Sequence, residues 1–300
     1  MGVAEQVMEQ YPTLSFLLGD PEIGPLLTKA VDPNTGFSPS TFQAKLYQTN
    51  WWKRQSATQR EWLIKQHTDP GSARQEREAM NASVTQRAAE MGVTLSVNQM
   101  RWLRESMLAN GQTADGPELT QALAKLWTFK DRGKGQIGAY RGQVMEMAKQ
   151  YFSNTMTQSS RHGRATLDRQ AVRIASGQDT IEGLQHRMQL EAMRRFPHMK
   201  EMLEAGMTPY DVVQPMREIV AEEMEYATPD QVNVLKNPVW RKLLGVRDRE
   251  GKMRLLTESE VVRMAREQPT WWKTSNGRTA DNQMASALLN AFGERKSSMS

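Results

Sequence analysis

Seven of the thirteen prolines, Pro21, Pro33, Pro39, Pro70, Pro209, Pro229 and Pro238, directly follow Asp, Asn, Ser or Thr. A short polar side chain accepts hydrogen bonds from the free amides of a helix's first turn, and proline costs nothing at the first helical position, where its missing N–H would be unpaired anyway. Most of these steps therefore read as helix entrances. They are joined by capping boxes at Ser56–Gln59, Ser96–Gln99, Thr228–Gln231 and Thr257–Glu260. The alternation of apolar and polar residues that marks strands is hard to find, and β-branched runs are absent. The expected fold class is all-α: a multi-helix bundle, extended or two-lobed, with short loops.

Within this frame the stretch from Phe42 to Trp62 stands out. Phe42, Leu46 and Tyr47 read as the apolar side of a helix opening at Ser38-Pro39. Trp51-Trp52 then falls in a break, and a helix carrying Trp62, Leu63 and Ile64 opens at Ser56. A related corner closes the chain, where Val261, Val262, Met264 and Ala265 lead to Trp271-Trp272-Lys273. A polar run from Thr274 to Arg278 follows, then a last helix ending at Leu288, Leu289, Phe292 and Gly293. Upstream, Tyr11-Pro12-x-Leu14-x-x-Leu17-Leu18 echoes Phe196-Pro197-x-Met199-x-x-Met202-Leu203. The echoes admit a degenerate internal duplication, although the spacing from echo to corner differs between the halves.

Between the corners, Asp69-Pro70 opens a long helix with a polar first half. Met80, Val84, Ala88 and Met91 form its apolar stripe, and Gly92 stops it. Tyr140, Val144, Met147, Ala148 and Tyr151 also recur at helical spacing. The Ser-, Thr-, Asn- and Gln-rich segment 153–163 reads as a flexible joint. A basic helix follows, with Arg161, Arg164, Arg169 and Arg173 outward and Leu167, Ala171, Ile174 and Ala175 inward, stopped by Gly177. The domain boundary is placed here, giving residues 1–158 and 159–300. Helices are expected near Thr180, Thr208, Thr228 and Thr257, and a reversal over Asp248 to Lys252.

The 300 residues include eight Trp, seven Phe and six Tyr, enough bulk for a real core, while no cysteine is present. Disulfides and thiolate metal sites are therefore excluded. No window approaches the roughly 18 to 20 apolar residues needed to cross a bilayer, so no membrane span is expected. Net charge is +5, but Lys and Arg against Asp and Glu number 2 to 5 in residues 1–50, 23 to 14 in 51–200 and 14 to 15 in 201–300. The basic middle could favour a polyanion, but its positive residues are interleaved with acids and read first as solvated helix faces of mixed sign.

Candidate chemistry is sparse. Gly133-Lys134-Gly135-Gln136-Ile137-Gly138 matches Gly-x-Gly-x-x-Gly before a helix, but a phosphate cradle needs a buried strand in front of it. Trp127 to Lys130 is too short and polar to supply one, so a flexible helix connector is the expectation. His67, His162, His186 and His198 are scattered and read as surface residues, none at the i, i+4 spacing of a helical metal pair. A helical glycosidase needs one well-placed acid with a partner, for which Glu191 beside Tyr151, or Glu218, Glu222 and Glu223, come into question. Trp51-Trp52-Lys53-Arg54 and Trp271-Trp272-Lys273 combine indoles with charge, a composition that stacks bases, anchors protein interfaces, or simply fills buried corners. No catalytic, cofactor or metal residue is assigned and no cofactor is expected.

The order Phe42, Thr49-x-Trp51-Trp52, Arg60, Asp69-Pro70, Gly92, Gly111, Tyr151, Gly177, Phe196-Pro197, Gly206, Trp272 and Leu288-Leu289-x-x-Phe292-Gly293 resembles a set of helical virion proteins of tailed bacteriophages, chiefly those infecting actinobacteria. The resemblance spans nearly the whole chain as scattered landmarks. It implies a structural protein of the tail, or an internal protein released with the genome, found in the virion and in the host cytoplasm during assembly. Its partners would be other copies of itself, other virion proteins and genomic DNA, and it implies no enzyme activity. Two other readings stand beside it: a nucleic-acid-binding protein using the basic middle, and a virion-associated peptidoglycan hydrolase.

Overall fold

The computed structural model describes residues 2–153, 155–156 and 160–297, with side-chain surroundings through residue 287. The fold is all-α. Its only strands among the described residues are β1 (Val246–Arg247) and β2 (Met253–Arg254), an antiparallel pair closed by Asp248 and Lys252 where the reversal was expected. The chain forms two compact units, Met1–Gly142 with Asp168–Asp179, and Gln143–Leu167 with Thr180–Ser300. It passes between them after Gly142, Leu167 and Asp179. The single boundary read at 158 and 159, and residues 154 and 157–159 of the joint read over 153–163, fall outside the described residues, while 161–163 already belong to a helix.

In the first unit, α1 (Val3–Gln10), α2 (Gly24–Val31), α3 (Pro39–Leu46) and α4 (Asn50–Arg54) enclose a small core of Val7, Leu17, Ile23, Leu27, Val31, Phe42 and Leu46. Next come α5 (Ala57–Thr68), α6 (Pro70–Met91), α7 (Val97–Ala109) and α8 (Pro117–Leu126), with α6 packed on α5, α7 and α8. The stripe Met80, Val84, Ala88 and Met91 joins Leu103, Met107, Leu119, Leu123, Ile137 and Ala171 in the larger core. Burying each Val, Leu or Met here contributes about 1.5–3 kcal/mol. α9 (Gly135–Gln150) and α10 (Arg161–Ala175) each begin in one unit and end in the other.

The second unit continues with α11 (Ile181–Arg195), α12 (Lys200–Glu204), α13 (Pro209–Glu223), α14 (Glu258–Arg266) and α15 (Ser275–Ser297). α13 is the central rod, with Val212, Val213, Met216, Val220 and Ala221 buried and α14 packed along it. Among the described residues, no helix is long and apolar enough to cross a membrane.

Local capping explains most helix starts. Ser38, Thr49, Ser56, Asp69, Ser96, Thr180, Thr208 and Thr257 each accept a first-turn amide. Of the seven proline steps, however, only Pro39, Pro70 and Pro209 open α-helices, Pro33 and Pro229 open 3₁₀ turns and Pro21 and Pro238 lie in turns, and the expected course fails at three further points. Trp51-Trp52 does not lie in a break, because Thr49 Oγ1 accepts from Trp52 N at 3.2 Å and starts the one-turn helix α4. Thr228 opens only a 3₁₀ turn, Pro229–Gln231: Asp230 is drawn to Arg217 and Tyr210, and Asn233 Oδ1 starts another turn by accepting from Leu235 N and Lys236 N. The last helix runs through Gly293 to Ser297, and the polar run after Trp272 is its first turn, capped by Thr274.

The upstream echoes match in backbone where the tryptophan corners do not. Tyr11 and Phe196 share a backbone, with φ/ψ of −131/57 and −125/65, each closing a helix before proline. The corners do not match, one being an α-turn and the other a 3₁₀ turn.

Candidate interface: two tryptophan corners and a basic helix

The first corner is pinned at both ends. Thr49 is buried, and its hydroxyl also donates to Leu46 O at 2.7 Å. Glu22 reaches across from the start of α2 to accept from Asn50 N at 2.6 Å. The Asn50 side chain and backbone hold the Glu22 carboxyl below the usual carboxylate range. Arg60 then staples the far side: its Nη1 donates to Trp52 O at 2.9 Å and Gln55 O at 2.6 Å, and its guanidinium lies 3.9 Å over the Trp52 ring. Both indoles are half-buried against the small core. Lys53 and Arg54 are exposed, and Arg54 shares an open hollow with Asp20, Glu22 and Trp51. The two carboxylates there oppose the binding of a phosphate.

The second corner separates its two rings. Trp271 is only 4% exposed and donates from Nε1 to Glu223 Oε2 at 3.2 Å. Arg266 grips the same carboxylate through Nε at 3.1 Å and Nη2 at 2.9 Å, and that bond raises the arginine's pKa. Thr274 Oγ1 donates to Trp271 O at 2.6 Å and accepts from Gly277 N at 3.0 Å. Glu225, at a left-handed φ of 53°, accepts from Asn276 N at 3.1 Å and so caps α15. Trp272 meets Trp271 edge-on at 4.9 Å and remains 50% exposed, beside exposed Lys273. One indole is thus core and the other surface, a split that the doublet alone does not reveal.

α10 carries its charges as expected. Arg161, Arg169 and Arg173 are exposed and Arg164 half-buried, while Leu167, Ala171, Ile174 and Ala175 are buried. Arg173 faces Asp179 at 3.8 Å. Much of the basic middle, however, is consumed in ion pairs. Buried Asp168 accepts from Arg132 Nε at 2.8 Å and Arg141 Nε at 2.7 Å. Glu105 holds Arg77 and Arg104, Glu90 holds Arg87, and Glu76 holds Lys65.

The glycine motif is not a flexible connector. Gly92, the left-handed cap of α6 at φ 77°, abuts Gly135, the first residue of α9 at φ 53°. A Cβ on Gly92 would meet Lys134 O at 2.2 Å, and one on Gly135 would meet Gly92 N at 2.2 Å. A Cβ on Gly138 would strike Gly133 C at 2.5 Å. These glycines allow two backbones to touch, and the segment before them is a 3₁₀ turn, Phe129–Asp131, with no strand.

The carboxylate candidates do not converge. Glu191 and Tyr151 do line one cavity, together with Ser153, Met188, Ala192 and Arg195, but it holds only about 10 Å³, less than a sugar ring by far. Glu218 takes Gln214 Nε2, and Glu223 is committed to Arg266 and Trp271. No cluster of His, Asp and Glu able to hold a metal occurs among the described residues. Three histidines are exposed, with His67 stacked on Phe16 at 4.1 Å. His198 departs from the surface expectation: it is half-buried, with Nε2 2.8 Å from Leu244 O.

Sequence reasoning passed over the most exposed aromatics. Trp102 on α7 is 60% exposed and Phe129 66%. Trp102 also rims a hollow of about 330 Å³ between α7 and α8, with Leu103, Met107, Ala122 and Leu126 among its lining. The signal was present in α7, where Leu103 and Met107 define the inner face and leave Trp102 beside it. No family model, curated protein or solved structure matches the chain.

Proposed function

We propose that the chain is a non-enzymatic structural component of a tailed-bacteriophage virion, in the tail or among the internal proteins ejected with the genome. It acts through helix-mediated contacts with other copies of itself and other virion proteins. The observation that carries the assembly part is the presentation of large apolar side chains from ordered helical turns: Trp102, Phe129 and Trp272 face solvent at 60%, 66% and 50%. Exposed aromatic anchors on fixed backbone suit protein contact, because their entropy of immobilisation is small and their buried area large. The phage setting rests on the resemblance in sequence.

Quantitative mass spectrometry of purified particles tests the reading. The protein is expected in a fixed multiple per particle that survives stringent purification, and its absence from particles overturns the assignment.

A nucleic-acid-binding reading draws on the exposed cations Lys53, Arg161, Arg169 and Lys273, Arg54 being set against Asp20 and Glu22. Contact with several phosphates would give an affinity that falls steeply between about 50 and 200 mM salt. Binding that is absent at low salt removes this reading.

A further inference from the structure

α7 and α8 both pack on α6, and between them the first unit leaves the hollow of about 330 Å³ that Trp102 rims. Its lining repeats at helical spacing. On α7, Trp102, Ser106 and Asn110 follow at steps of four; on α8, Glu118, Gln121, Ala122 and Lys125 fall at i, i+3, i+4 and i+7, so each helix offers one face to the hollow. The floor is apolar, with Leu103 and Met107 only 1% and 2% exposed. The link 110–116 joins the helices at the Asn110 and Glu118 end, and Trp102 and Leu126, which line the same hollow, each lie about 12 Å further along. The two faces therefore run in opposite chain directions. Trp102 is 60% exposed on a helix fixed by its capping box at Ser96. The hollow is at the small end of the roughly 300–1,000 Å³ of pockets that hold a bound group. A projecting side chain and an open socket thus share one face.

The rim charges are complementary to themselves. Glu118 and Lys125 are both exposed and about 10.5 Å apart along α8, too far to pair with each other. A rim with one acid and one base selects no partner of a single sign, but it matches a reversed copy of itself. About a two-fold axis that crosses the hollow over Ser106 and the Gln121–Ala122 step, Glu118 of each copy meets Lys125 of the other. Each Trp102 then meets the other copy's far end, where Asn110, Gln112 and Glu118 offer acceptors to the indole N–H. Ser106 and Ala122, small side chains near the axis, suit a close approach of helices at about 8–10 Å. An axis laid along the hollow would instead set both charges against the uncharged face of α7 and leave them unpaired. We propose that the chain forms a two-fold dimer through α7 and α8, each Trp102 seated in the other copy's hollow. Such a contact closes on itself and leaves α10 and both tryptophan corners free for other partners. It deepens the assembly part of the reading above and is independent of the phage setting. A monomer in solution would strike this contact alone, and absence from particles would strike the phage reading alone.

Sedimentation equilibrium of the full chain over about 1 to 200 µM is the test, a span that brackets the micromolar dissociation constants of small interfaces. The average mass is expected to rise from 34.1 kDa toward twice that value. Trp102→Ala should raise the dissociation constant at least about thirtyfold with an unchanged circular dichroism spectrum. Trp272→Ala, which removes an indole 50% exposed in the other unit, should leave it unchanged. Glu118→Lys should weaken the dimer about tenfold, since two ion pairs become two repulsions, and Glu118→Lys with Lys125→Glu should restore it. Because the chain lacks cysteine, Gln121→Cys beside the axis should be captured as a dimer by a short bismaleimide, whereas Ala89→Cys, exposed on α6, should not. A monomer at the highest concentration, which would leave the hollow to a different partner, overturns the proposal. So does a dimer indifferent to Trp102→Ala or weakened as much by Trp272→Ala, a double swap no tighter than Glu118→Lys alone, or equal capture at Gln121→Cys and Ala89→Cys.

Discussion

Replacing Gly92 by alanine tests whether the junction between α6 and α9 is held by backbone contact or merely turns there. Two costs are separable. The first is conformational: an L side chain at φ 77° costs about 1–2 kcal/mol. The second is steric: the new Cβ would lie 2.2 Å from Lys134 O and 2.4 Å from Lys134 C, backbone atoms that cannot rotate away. Overpacking of this kind typically costs a further ~1–3 kcal/mol. Gly177 is the internal control, since it belongs to the same unit and ends α10 at φ 72° with nothing within 4 Å of its would-be Cβ. Gly177→Ala should therefore lose about 1–2 kcal/mol and Gly92→Ala about 2–5 kcal/mol. With a urea m-value of roughly 2 kcal/mol/M, the midpoints fall by about 0.5–1 M and 1–2.5 M respectively. The readout is the urea transition of the first unit, followed by Trp fluorescence and helical circular dichroism. Because Gly135 faces the same contact, Gly92→Ala and Gly135→Ala should be non-additive in a double-mutant cycle. Equal shifts for Gly92→Ala and Gly177→Ala, or strict additivity with Gly135→Ala, would refute the reasoning.

Three further outcomes follow from the same geometry. Asp168→Asn leaves Arg132 and Arg141 without their carboxylate and should cost about 3 kcal/mol, the lower end of the range for a broken buried pair because Arg132 is 34% exposed; an unchanged urea midpoint would contradict it. The Arg254 guanidinium and the Thr257 amide hold the Glu260 carboxyl down to about 2 from an ordinary 4.5, so its contribution is complete above pH 4.5 and lost as pH falls toward 2. Melting temperature between pH 5 and 2.5 should accordingly drop more for the parent than for Glu260→Gln, and parallel curves would count against the pair. Finally, Trp271→Ala should cost about 3–5 kcal/mol and Trp272→Ala under about 0.5 kcal/mol, because one indole is core and the other solvent-facing; equal losses in thermal unfolding would show that the two rings share one environment.

What the sequence determined by itself is the all-α class and the beginnings of most of the longer helices. Ser38, Ser56, Asp69, Ser96, Thr208 and Thr257 cap as read, because a cap is a hydrogen bond across three residues and needs nothing from the rest of the chain. The stripe on α6 and the inward side of α10 were legible for the same reason, as helical periodicity is local. Tertiary structure decided which parts of those helices meet. The Asp168 clamp joins residues 36 and 27 positions apart, and Trp271 finds Glu223 across 48. Gly92 and Gly135 share a contact that neither flanking sequence encodes alone. The same competition demoted the box at Thr228, where the pull of Arg217 on Asp230 replaced a helix with a turn. It also left Trp102 and Trp272 facing water while Trp240 and Trp271 entered the core. A residue type fixes how much is gained by burial, but only the packing of distant segments fixes whether there is anything to be buried against.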